Sequence, residues 1–281
     1  MMNFKKNFPI VNGYPRLGGL GEIKTHRFGF FESIGIISFT LGLSLIMVLA
    51  GCVSSPRTKE QSLAQMRLGE SMLKEGRTTQ ALNELNKAVN LDPDNAQIRN
   101  VLGVAYMEKG MLPEAVQEFR KALDLAPDFA EVHNNLGTAL LRQGKVQEAI
   151  KEFNEALKSP LYLTPHFGEY NLGRAYYQMK DYVQAKKHFQ EAVKISPSYS
   201  MAYLGLGETC MAVRQWDEAA EALKKAIEYA PRYVEAHYDL GEVLVAQYQT
   251  NLARMAFKEV IRLDPEGPWG KKAQQRLKEI Y

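Results

Sequence analysis

Small and apolar residues recur along this chain at a fixed interval. The pair Leu-Gly appears at Leu68-Gly69, Leu102-Gly103, Leu136-Gly137, Leu172-Gly173, Leu206-Gly207 and Leu240-Gly241, and four of the five spacings are 34 residues. Alanine keeps the same phase at Ala81, Ala115, Ala149, Ala185, Ala219 and Ala253. A large apolar residue follows each, at Leu85, Phe119, Phe153, Phe189, Leu223 and Phe257. Each copy holds two stretches of helical length with apolar residues three and four apart, as in VHNNLGTALLRQG and KVQEAIKEFNEALK. That period predicts two amphipathic helices joined by a turn. Gly137 and Ala149 are small where the two helices must approach closely, with Leu136, Leu140, Phe153 and Leu157 filling the space beside them. Gly76, Gly110 and Gly144 stand where a left-handed cap ends the first helix. Pro93, Pro127, Pro197, Pro231 and Pro265 stop the second helix at the handover to the next copy.

One helix pair cannot bury its own apolar face, so the copies must stack on one another. The in-phase Leu-Gly, Ala, Phe and Pro positions resemble the tetratricopeptide repeat over residues 62–267, about three quarters of the chain. The resemblance implies an all-α fold, a right-handed superhelical solenoid of six tetratricopeptide repeats at 62–95, 96–129, 130–165, 166–199, 200–233 and 234–267. The polar, basic segment WGKKAQQRLKEIY within residues 268–281 is expected to close it as a capping helix. One junction is out of phase. Between the third and fourth copies the glycine spacing is 36, Leu161 stands where proline is expected, and two extra residues must bulge or alter the curvature.

In a stacked pair the first helix buries its Leu-Gly face and turns the opposite spacing toward the concave side, at positions 2, 5, 9 and 12 of each repeat. Asn100, Met107, Asn134 and Leu141 are the candidates from the second and third repeats, the amides suited to a peptide backbone. Phe167, Tyr170, Arg174, Tyr177, Met201, Leu204, Met211 and Tyr238 continue the surface through the later repeats, and their aromatic and Met side chains suit an apolar partner segment. The same positions also carry Glu70, Glu131, Glu208, Glu235 and Glu242.

The N-terminal region has another character. Ile34 to Gly51 is an 18-residue run without a charge, ending in Leu49-Ala50-Gly51 directly before Cys52. That ending resembles a bacterial lipobox. The resemblance implies a signal peptide over 1–51, cleavage before Cys52 and lipidation of that cysteine, with 52–61 left as a short tether. Five of the 35 basic and two of the 32 acidic residues precede Cys52, so the rest of the chain carries 30 of each. No basic footprint for nucleic acid remains. With Cys52 lipidated, Cys210 has no disulfide partner and reads as a small buried apolar residue.

Catalytic motifs are lacking. No phosphate-binding glycine loop or nucleophile elbow occurs, and His166 and His188 are separated without a ligand cluster, so no catalytic residue, metal site, cofactor or small-molecule substrate is expected. His133 and His237 share one repeat position and are expected to pack. A lipobox, six repeats and the segment PLYLTP…EYNLG…YQMKDYVQAKKHF together resemble the type IV pilus biogenesis lipoproteins of the PilF/PilW type, the pilotins. The resemblance implies a non-enzymatic protein, lipid-anchored at the outer membrane and facing the periplasm, that binds a pilus secretin. Val53 after the lipidated cysteine fits outer-membrane sorting in such lipoproteins. Two other uses of such a groove remain open: an envelope scaffold for cell-wall hydrolases or synthases of the NlpI type, and a periplasmic chaperone.

Overall fold

The computed structural model describes residues 55–280; the expected signal segment, its Leu49-Ala50-Gly51 motif and Cys52 lie outside the described residues. Among the described residues there are thirteen α-helices and no strand. They form hairpins α1 (Pro56–Lys74) with α2 (Thr78–Leu91), α3 (Ala96–Glu108) with α4 (Leu112–Leu125), and α5 (Ala130–Arg142) with α6 (Val146–Lys158). Three more follow, α7 (Pro165–Gln178) with α8 (Tyr182–Ile195), α9 (Ser200–Ala212) with α10 (Trp216–Tyr229), and α11 (Val234–Ala246) with α12 (Thr250–Leu263), before a last helix α13 (Pro268–Glu279). Each second helix also packs against the first helix of the next hairpin, which makes the unit a solenoid.

The recurrent residues are the ones that hold each hairpin together. Phe119, Phe153, Phe257, Leu85 and Leu223 are fully buried and Phe189 nearly so, each facing a glycine of the preceding helix. A Cβ at Gly137 would stand 2.6 Å from Phe153 Cε1, so the glycine is what lets the ring lie against α5. All six phased alanines are completely buried. Leu102, Leu136 and Leu172 are buried as well, whereas Leu68 is exposed because no earlier hairpin among the described residues covers α1. A shared side-chain position fixes consecutive hairpins: Arg99 Nε donates to the Pro93 carbonyl at 2.8 Å, and His133 Nε2 and His237 Nε2 lie 2.8 and 3.0 Å from the carbonyls of Pro127 and Pro231. The two histidines thus serve the turn between repeats.

One place departs from the expectations, and two others add detail to them. Residues 56–61, expected within a tether, are the opening turns of α1. Ser55 Oγ accepts from the Thr58 backbone N–H, Pro56 occupies the first turn where its missing N–H costs nothing, and Ser62 and Met66 are buried behind them. The turns of the last three hairpins lack glycine, yet Lys180, Arg214 and Tyr248 adopt the same left-handed backbone, with φ of 62°, 61° and 61° against 73–80° at Gly76, Gly110 and Gly144. At the out-of-phase junction, the extra residues place Tyr162 against Ala130 and Ala156 and leave Leu161 and Leu163 projecting, 80% and 86% exposed. Tyr162 fills the handover, and α7 packs on α6 as its counterparts do.

The C-terminal helix closes the stack. Asp264 Oδ2 accepts from the backbone N–H of Trp269 at 3.0 Å and of Gly270 at 3.3 Å, which starts α13. Ala273 is buried, and Trp269, Leu277 and Ile280 pack against the Phe257 cluster.

Candidate peptide-binding groove

First helices touch first helices along the stack, α7 meeting α9 and α9 meeting α11, whereas α8, α10 and α12 make no such contacts with one another. The first helices therefore line the inner, concave curve. Of the twelve residues expected there, three lie in the core and cannot serve as anchors. Met107 and Leu141 are buried in the cluster around Phe119 and Phe153, and Leu204 is buried in the cluster around Leu223, where it forms only the floor of a cavity described below. Neighbouring first helices roof these positions, which a count along one helix does not reveal.

The expected amide surface is also partly spent within the protein. Buried Asn100 accepts at Oδ1 from Asn135 Nδ2 at 2.9 Å, and Asn134 Oδ1 accepts from Asn171 Nδ2 at 3.0 Å, with Thr138 Oγ1 3.4 Å from the same nitrogen. These amides align successive first helices. Asn134 stays half-buried and Asn100 is withdrawn.

The later repeats give a different result. Phe167 and Met201 are 39% and 42% exposed, Arg174 is exposed, and Tyr170, Tyr177, Met211 and Tyr238 are half-buried. Tyr170 sits in an aromatic network, with ring centroids 5.8 Å from Phe189 and 5.3 Å from Tyr199, whose own ring lies 5.5 Å from Phe167. The Arg174 guanidinium lies 5.7 Å from the Tyr170 ring centroid. Between α7 and α9 a cavity of about 240 Å³ opens, lined by Tyr170, Arg174, Tyr177, Met201, Leu204 and Glu208 among others. Tyr238 packs against Phe257 and Trp269 at the far end, and Met211 against the Leu204 cluster.

Acidic groups share this aromatic face. Burial, then the charge of Glu235, pushes Glu208 up to about 7 against the opposing pull of Arg174. Burial likewise pushes Asp239 up to about 7, helped by Glu208, Glu235 and Glu242 and opposed by Lys272. Desolvation raises Tyr170 and Tyr177, and Tyr233 reaches about 12. Glu242 alone of these carboxylates has a strong partner, since Arg276 of α13 donates to both its oxygens, with Nη2 to Oε2 at 2.9 Å. Asp239, Tyr199 and Tyr233 were not among the expected groove residues; the two tyrosines follow the repeat-closing prolines by two positions, the one sequence signal that marks them.

The acids are spread over two helices without a nucleophile between them, and among the described residues no three His, Cys, Asp or Glu side chains are placed to hold a metal ion. Cys210 is buried, and burial pushes its thiol up, away from reactivity. Among the described residues no helix is long and apolar enough to cross a membrane.

Family models described as tetratricopeptide repeat match residues 130–159 and 167–199, and one described as TPR repeat matches 69–110, 105–144 and 215–248. No curated protein matches the chain in sequence. Among solved structures, pilF of Pseudomonas aeruginosa is similar with a TM-score of 0.68 and 25% identity, over 78% of this chain and 99% of that one. PilW, described as a widely conserved type IV pilus biogenesis factor, gives 0.71 at 22% identity over 76% of this chain and 98% of its own. YrrB, described as a TPR protein with an unusual peptide-binding site, gives 0.52 at 19% identity over 68% and 97%. The last two likenesses concern the fold.

Proposed function

The chain belongs to the tetratricopeptide-repeat family, and we propose on that premise that it is a non-catalytic adaptor whose concave face, at α7, α9 and α11, holds a segment of a partner protein. The observation that carries this reading is the open cavity lined by Tyr170, Tyr177 and Met201, with Phe167 joined to Tyr170 through the Tyr199 ring. Aromatic and Met side chains left partly uncovered in a concavity are what a protein interface uses as anchors. Likeness in fold along nearly the whole length of pilF and PilW, together with the lipobox-like Leu49-Ala50-Gly51-Cys52, supports a specific setting. In that setting the protein is a lipid-anchored pilotin that faces the periplasm from the outer membrane and promotes assembly of the type IV pilus secretin.

Detergent-solubilised envelopes passed over the tagged protein, with bound proteins identified by mass spectrometry, test both levels. Recovery of a secretin by the wild type and its loss with Tyr170→Ala/Tyr177→Ala supports the pilotin reading. Recovery of murein enzymes without secretin moves the scaffold reading ahead, and capture indifferent to both tyrosines removes the groove. A Cys52→Ser variant should leave the membrane fraction while keeping its helix content, because the repeats bury a core of their own; retention in that fraction would count against the lipid anchor.

A further inference from the structure

The concave face of α7, α9 and α11 has a charge pattern that narrows the chemistry of its occupant. Glu208, Glu235 and Asp239 form no ion pair among the described residues, whereas the exposed carboxylates of the convex helices, such as Glu221 and Glu228, are held by lysines. These acids, of which Asp239 feels Lys272 without pairing with it, lie within electrostatic reach of one another and of Tyr170, Tyr177 and Tyr233. Arg174 opposes the charge of Glu208 from α7 but makes no ion pair with it.

The protein itself shows what such a position takes. Glu242 stands at the ninth position of its repeat, as Glu208 does 34 residues earlier. Helix α13 lays a basic face on α11, and there Arg276 grips both oxygens of Glu242 while the Lys272 ammonium lies 4.2 Å from the centroid of the Trp269 ring, itself packed on Tyr238. A carboxylate beside an aromatic ring therefore already receives a cationic helix at the end of the stack. One repeat earlier Leu204 stands where Tyr238 does, and Glu208 instead shares its cavity with Tyr170 and Tyr177 of α7 and has no ion-pair partner, Arg174 lining the same cavity without pairing with it.

Resting on the protein-binding reading above, we infer that the groove between α7, α9 and α11 receives an arginine- or lysine-bearing segment of the partner protein. Its cationic heads reach Glu208, Glu235 and Asp239, and its stems lie along Tyr170 and Tyr177. Opposite charge in a half-desolvated groove raises affinity and rejects acidic segments, and cation–π contact with tyrosine adds to both. The raised carboxyls are consistent with this: burial chiefly holds them up, and the mutual repulsion that adds to it is what an incoming cation would relieve.

Fluorescence anisotropy with two labelled peptides tests the inference on the full chain in detergent. Both peptides carry the same apolar residues, and one has arginine wherever the other has glutamate. At about 0.15 M salt, where long-range attraction is screened, the arginine peptide should bind at least about tenfold more tightly than the glutamate one. Glu208→Gln/Asp239→Asn should remove most of that advantage, and Glu221→Gln/Glu228→Gln on the convex face should leave it. Equal binding of the two peptides, or equal loss in the two double variants, overturns the inference. Circular dichroism of the groove variant guards against misfolding, and both replacements mimic the protonated acid in size. If no charge preference appears while Tyr170→Ala/Tyr177→Ala still abolishes secretin capture, the groove stands and its cationic occupant falls. If the arginine peptide binds as expected and no secretin is recovered, the pilus role falls alone.

Discussion

Acidification from pH 8 to pH 5.5 should stabilise this protein, and the two raised carboxyls of the groove set the size of the effect. Glu208 rises from an ordinary 4.5 to about 7 and Asp239 from 3.8 to about 7, chiefly through burial. A folded-state pKa above the unfolded one means that the native protein binds more protons between the two values, so stability is fully present below the unfolded pKa and is lost as pH rises through the folded one. Each tenfold change in proton affinity corresponds to about 1.4 kcal/mol, so each acid taken from pH 8 to pH 5.5 contributes about 2 kcal/mol. The groups facing the pair are Arg174 on α7, Glu235 and Glu242 on α11, and Lys272 and Arg276 on α13, with Tyr170, Tyr177 and Tyr233 around them. Part of each shift is mutual repulsion that the first proton relieves, which brings the pair to about 3 kcal/mol, or roughly 5–10 °C in Tm for a chain of this size. His133 has a pKa raised by Glu152 and adds stability in the same direction, while the lowered His166 works against it. Thermal melts of the wild type and of Glu208→Gln/Asp239→Asn at both pH values separate the contributions, because the histidines are common to both proteins. The double variant should melt higher than the wild type at pH 8 and approach it at pH 5.5. A difference that does not change with pH would refute the reasoning. Exposed carboxylates with lowered pKa values, such as Glu75 and Glu221, lose their contribution only below the usual carboxylate range, outside this window.

Gly137→Ala should destabilise by up to about 2 kcal/mol in urea titration. Overpacking a closed site costs about 1–3 kcal/mol and the gain in helix propensity returns about 1, and the new Cβ would lie 2.6 Å from a fully buried Phe153 ring; a stabilised variant would show that the hairpin is looser than described. Tyr248→Gly should stabilise by about 0.5–1 kcal/mol, since left-handed backbone costs a non-glycine residue about 1–2 kcal/mol and glycine's extra chain entropy takes back less than that. Tyr248 is 94% exposed at φ 61°, so its ring contributes little packing, and a fall in Tm would count against strain at that turn.

The repeat architecture was legible because every copy solves the same local problem. Phe119 and Phe153 face Gly103 and Gly137 in the same way, so selection for one contact writes the same residues every 34 positions. Helix starts are legible to a lesser degree: residues 56–61 are helical because Ser55 and Pro56 cap α1, although their polar sequence resembles a tether. The groove was legible only in part, for a physical reason. Whether a residue at the twelfth position of a repeat faces solvent depends on how closely the next first helix approaches, and that distance is set by side chains one repeat away. Met107 and Leu141 are covered there, while Tyr177 at the same position borders an open cavity.

The acids of the groove show the same limit from the opposite side. A glutamate on an amphipathic helix looks solvated in sequence, and Glu221, paired with Lys224 on the convex side, is indeed so. Glu208 occupies the inner curve, where stacking brings Glu235 and Asp239 of the next hairpin toward it and removes water from Glu208 and Asp239. Burying like charges together costs stability, and the fold tolerates that cost beside an aromatic cavity instead of placing lysines there, as it does on the outer helices and, through Arg276, at its own C-terminal end. Retained destabilisation in one concavity, next to rings that a partner could cover, is what a docking site for a cationic segment requires, because the free energy withheld from folding is then released on binding.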